Sequence, residues 1–180
     1  MVITFQGKES FKIVQGDLSL VLNPESKTAA DITLFTSGGK EVSDKSGFVI
    51  SGPGEYEVKG VSIKGFLSEG KDKKINTIYM MNVESIDICF LGSLSSEELS
   101  PEILEQLEDI DILFSPVSAY KLAVSLEPSI VIPMDYTPET LKKFLKEVGD
   151  DNKSAEEKLV IKKKDLEGKE GEVVILKQEL

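Results

Sequence analysis

The chain has 180 residues, 40% of them hydrophobic and 29% charged, the balance of one soluble globular domain with enough apolar material for a real core. A formal net charge of −11, with Lys as the only basic residue type, argues against nucleic acid or an anionic membrane as partner, since both need a basic face. One cysteine, Cys89, excludes an internal disulfide, and no apolar run reaches the ~20 residues of a membrane helix, which together point to the cytoplasm.

The first half reads as strands joined by tight turns. Val2–Phe5 and Phe11–Val14 alternate, Gln15-Gly16-Asp17 turns into Leu18–Leu22, and Asn23-Pro24 ends that strand. Asp31–Thr36 is a further strand, followed by Ser37-Gly38-Gly39. Phe48–Ile50 leads through Gly52-Pro53-Gly54 to Tyr56–Val58 and Val61–Phe66. The charged turn Glu69–Lys74 precedes strands Thr77–Val83 and Ile86–Leu91.

The second half alternates helix and strand, the signature of βα units. Ser100 with Pro101 opens a helix carrying Ile103, Leu104 and Leu107 on one face, and strand Ile110–Phe114 follows. Ser118 is placed to cap a short helix through Leu126. Ile130–Ile132 has the apolar run of a buried strand. Thr137 and Pro138 open a third helix with Leu141, Phe144, Leu145 and Val148 at helical spacing, ended by Gly149. Lys158–Lys163 and Val173–Lys177 read as a hairpin about Glu167-Gly168-Lys169, residues 158–178 in all. The domain reading is one unit, 1–180, with a strand-rich half (about 1–95) and a βα half (about 96–149).

Three segments then point to one family. Gly52-Pro53-Gly54-Glu55-Tyr56-Glu57-Val58, Ile88-Cys89-Phe90-Leu91-Gly92-Ser93 and Ile130-Val131-Ile132-Pro133-Met134-Asp135-Tyr136 resemble the metallo-β-lactamase superfamily. Within it they look like the small Zn-dependent hydrolases related to L-ascorbate-6-phosphate lactonase, over residues 1 to about 149. The resemblance implies an α/β, four-layer αββα sandwich. It also implies a metal site built on Thr-His-x-His-x-Asp-His after a strand, a later bridging Asp, and a further His after the last core strand.

This sequence departs from that pattern at every ligand. Thr36 matches, but Ser37 and Gly39 stand where the first two His belong, Glu41 replaces the Asp, and Val42 replaces the third His. Ser93 stands for the bridging Asp and Asp135 for the final His; Lys8 follows a glycine after which relatives commonly carry His. The chain contains no His at all, so no other alignment restores the site. Zinc takes about four good ligands, and without it no bound water is acidified toward neutral pH.

No catalytic residue and no metal ligand is assigned. Ser37, Gly39, Glu41, Val42, Ser93 and Asp135 are read as vestigial site positions, no cofactor is expected, and the chain is read as a metal-free protein serving as a binding or interaction module. Its partner is an unknown protein or small molecule, with homo-oligomer formation open. The alternative is a hydrolase of a phosphoester or lactone that holds Mg²⁺ or Mn²⁺ on Glu41 and Asp135; a third reading, metal-free acid–base chemistry, needs a carboxylate with a raised pKa in an apolar cleft. Cys89, inside an apolar strand, reads as core rather than nucleophile.

Overall fold

The structure, a computed structural model, describes residues 1–37, 47–95, 98–150 and 153–179. Alternation builds the first sheet. Along β1 (Val2–Gly7) every second residue is buried, and Ile3 and Phe5 face inward while Val2 and Thr4 stay half-buried. β1 pairs antiparallel with β2 (Ser10–Gln15), and β2 with β3 (Leu18–Leu22). β4 (Ile32–Leu34) and β5 (Phe48–Ile50) then add in parallel.

The second sheet holds β6 (Gly54–Val58), β7 (Val61–Glu69), β8 (Ile75–Val83) and β9 (Ile86–Phe90) as an antiparallel run. β10 (Ile112–Pro116) and β11 (Ile130–Met134) join in parallel beside β9. β10 and β11 are buried at every position, which is why Ile130–Ile132 reads as an apolar run. The two sheets face each other across one core that includes Ile3, Phe11, Leu20, Ile32, Tyr79, Phe90, Phe114 and Ile132. The mixed α/β, two-sheet architecture expected from the sequence is the one observed.

Among the described residues, the three α-helices pack on the outer face of the second sheet. α1 (Pro101–Leu104) and α2 (Tyr120–Ser125) cover Ile78, Cys89, Leu91 and Leu113. α3 (Pro138–Val148) seats Phe144 and Leu145 against Val173 and Ile175. Thr137 caps α3 as expected: its hydroxyl accepts from the Thr140 N–H at 3.2 Å, its own N–H donates to Thr140 Oγ1 at 2.8 Å, and Gly149 closes the helix at φ +75°.

Other expectations fail in detail. α1 is a single turn with no side-chain cap from Ser100, and Ser118 lies inside a 3-10 turn, Val117–Ala119, instead of capping α2. The C-terminal hairpin does not form. β12 (Leu159–Val160) pairs antiparallel with β1 in the first sheet, and β13 (Glu172–Val173) pairs parallel with β11 in the second. The two segments close opposite sheets, and the 3-10 turn Lys163–Leu166 between them drops Leu166 into the shared core. Each finds a longer strand with a free edge, which offers more pairing than two short strands offer each other. Among the described residues, no helix is long and apolar enough to cross a membrane.

Candidate functional site

The carboxyl ends of β3, β4, β9 and β11 and the β1–β2 turn meet at one edge of the sandwich. Asn23 follows β3, Thr36 and Ser37 follow β4, Gly92 and Ser93 follow β9, and Asp135 follows β11. Lys8, Glu9, Asn23, Pro24, Glu25, Phe35, Ser37 and Asp135 line a cavity of about 220 Å³ there.

The floor is a set of side-chain amides and hydroxyls committed to one another. Thr36, 1% exposed, donates its N–H to Asn23 Oδ1 at 2.9 Å and accepts from Asn23 Nδ2 at 2.9 Å. Its carbonyl accepts from the Thr77 N–H at 2.7 Å, which ties the first sheet to the second. Asn76, fully buried, donates to the Leu91 carbonyl at 2.9 Å and to Ser68 Oγ at 2.8 Å. Its oxygen accepts from the Ser93 N–H at 3.1 Å and the Ser93 hydroxyl at 3.4 Å. Gly92 permits this closeness: at φ +62°, a Cβ there would lie 2.4 Å from Asn76 Oδ1 and 2.7 Å from Thr36 Cγ2.

Charged groups sit above this floor. Asp135, at φ +53°, donates its N–H to the Lys8 carbonyl at 2.9 Å, and its carboxylate pairs with the Lys71 ammonium. The Lys71 N–H in turn donates to the Ser93 carbonyl at 3.0 Å. Glu9 accepts from Asn23 Nδ2 at 3.2 Å; burial raises its pKa above the usual carboxylate range, while Lys71 and Asn23 pull it back.

Of the six positions singled out in the sequence, Ser37, Ser93 and Asp135 come together at this edge. Gly39, Glu41 and Val42 lie outside the described residues. The Asp135 carboxylate has Lys71 as its partner. Asn76, Glu9 and Lys71 were not foreseen as site residues. Lys71 belongs to the charged turn Glu69–Lys74, and its backbone bond to Ser93 and its ion pair with Asp135, 64 positions away in sequence, bring it here. Cys89 is fully buried on the helix-facing side of the second sheet, and burial pushes its thiol pKa up, so it is core as expected. Among the described residues, no three His, Cys, Asp or Glu side chains are placed to hold a metal ion.

A family model described as the beta-lactamase superfamily domain matches residues 2–135. No curated protein matches the chain. Among solved structures, a candidate Zn-dependent hydrolase of the metallo-beta-lactamase superfamily from Thermotoga maritima is 26% identical over 99% of each chain, with a TM-score of 0.76. The metallo-beta-lactamase fold protein YhfI from Bacillus subtilis is 10% identical over 99% of this chain and 98% of its own, at a TM-score of 0.63. Igni18, a metallo hydrolase from Ignicoccus hospitalis, is 14% identical over 89% of this chain and 99% of its own, at 0.60. The last two speak to the fold alone.

Proposed function

The chain belongs to the beta-lactamase superfamily, and from that membership we propose that it is a catalytically inactive, metal-free member, a pseudoenzyme that uses the retained fold as a binding or interaction module. The observation that carries this reading is the donor set at the site. A sequence without a single His places Ser37, Ser93 and Asp135 where the family resemblance puts ligands. Ser93 is spent on Asn76 and Asp135 on Lys71. Such a set does not fit zinc, which wants about four nitrogen, sulfur or carboxylate donors. A serine nucleophile would also lack an imidazole to take its proton.

The reading that Glu41 and Asp135 hold Mg²⁺ or Mn²⁺ for hydrolysis gains no support, since the Asp135 carboxylate already carries a cation. At about 220 Å³ the cavity is smaller than the ~300–1,000 Å³ usual for drug-sized ligands, which argues against a large small-molecule ligand at this edge. The net charge of −11 supports a partner that is neither nucleic acid nor membrane.

Elemental analysis of the purified protein, with thermal melts in and out of strong chelator, tests the metal-free reading. The expected result is no stoichiometric metal and one melting temperature in both conditions. About one equivalent of zinc, or turnover of a phosphodiester or lactone that chelator abolishes, overturns it.

A further inference from the structure

Lys71 is fixed at both ends. Its backbone leaves β7 through Gly70, whose N–H donates to the Lys74 carbonyl at 2.8 Å and which forms an isolated bridge with Leu94. Its own N–H is held by the Ser93 carbonyl at 3.0 Å. The side chain then crosses the mouth of the cleft to the Asp135 carboxylate, which the Lys8 carbonyl holds in place through the Asp135 N–H. Glu9, on the neighbouring β1–β2 turn, lies in the field of the same ammonium. One lysine therefore joins the end of β9 to the end of β11 and supplies the positive charge that two carboxylates share.

We infer that the Lys71 ammonium is the resident cation of this cleft, and that it keeps divalent cations off Glu9 and Asp135. The inference rests on the metal-free reading above and explains how the charge on Asp135 is balanced when the family's ligands are gone. A hard cation such as Mn²⁺ needs only one or two carboxylates plus waters. It would have to displace a tethered ammonium whose effective concentration beside Asp135 is set by its own short backbone.

The test is Mn²⁺ titration by calorimetry on the full chain. Wild-type protein and Lys71→Arg should show no binding tighter than millimolar, because both keep a fixed positive charge. Lys71→Met should bind one Mn²⁺ at least tenfold more tightly, and Lys71→Met/Asp135→Asn should lose that gain. The lysine side chain is 49% exposed, so its replacement should leave the fold intact, checked by circular dichroism. Lys71→Met binding no Mn²⁺ tighter than millimolar, or a gain that survives Asp135→Asn, overturns the inference and leaves the metal-free reading standing. Wild-type protein binding Mn²⁺ more tightly than millimolar overturns both.

Discussion

The buried amide of Asn76 accepts from the Ser93 N–H at 3.1 Å while its own N–H groups hold the Leu91 carbonyl and the Ser68 hydroxyl. One fully buried side chain thus sets the path of the chain leaving β9. Asn76→Ala should orphan the Leu91 carbonyl and the Ser93 amide at a cost of about 1–3 kcal/mol each. Asn76→Asp should do no better, because it buries a carboxylate and removes both donors. Urea denaturation of the two variants checks this. A loss below about 1 kcal/mol in either would show that water replaces these bonds.

Gly92 and Gly16 both sit at positive φ, +62° and +57°, but in different surroundings. A methyl group at Gly16 meets nothing within 4 Å, whereas one at Gly92 runs into Asn76 and Thr36. Gly16→Ala should cost only the left-handed backbone penalty, about 1–2 kcal/mol. Gly92→Ala should add the cost of forcing the floor apart, about 1–3 kcal/mol, for a total of about 2–5 kcal/mol. Equal midpoints for the two variants in a side-by-side denaturant series would contradict the packing described here.

These two contacts also mark where sequence reading stops. Periodicity suffices for β1 and β11, and the cap residues suffice for α3, because those signals are local: alternation, an apolar run, a Thr-Pro start and a Gly stop. The convergence of Ser37, Ser93 and Asp135 follows from knowing that each ends a strand. Nothing local distinguishes Asn76 from an ordinary strand residue, or Lys71 from its neighbours Lys73 and Lys74, since their roles depend on partners 17 and 64 positions away. The C-terminal segments failed for the same reason. Their turn at Gly168 is real, at φ +74°, but a turn does not say which edge each flank will join.

Asp31 should dominate one part of the acid response. The Lys59 ammonium, and then the Ser19 N–H and hydroxyl at 2.8 Å each, hold its pKa down to about 2. A folded-state pKa below the unfolded one means that the charged form stabilises the fold above the ordinary carboxylate range. That contribution is lost as pH falls from about 4 to about 2. Asp31→Asn should be less stable than wild type at pH 6, and the gap should close through that window. Thermal melts across pH 2–6 check the sign: a gap that widens on acidification would refute the assignment.

The last 23 residues should be indispensable, contrary to their reading as an appended hairpin. β12 closes the free edge of β1, and the Met1 ammonium donates to the Ile161 carbonyl at 2.8 Å, so the two termini hold one another. Leu159, Ile161, Leu166, Val173, Val174, Ile175 and Leu176 are each under 9% exposed. At about 1.5–3 kcal/mol per fully buried side chain, removing them forfeits roughly 10–20 kcal/mol of gross burial. The net stability of a domain is about 5–15 kcal/mol, so the ordering entropy saved by a shorter chain would have to offset nearly all of it. Truncation also strips β12 from β1 and β13 from β11, so edge pairing is lost on top of the buried side chains. A chain ending at Glu157 should therefore give no cooperative thermal transition and should bind a hydrophobic dye. Sharp melting within a few degrees of the full-length protein would mean that residues 158–180 lie on the core without sustaining it.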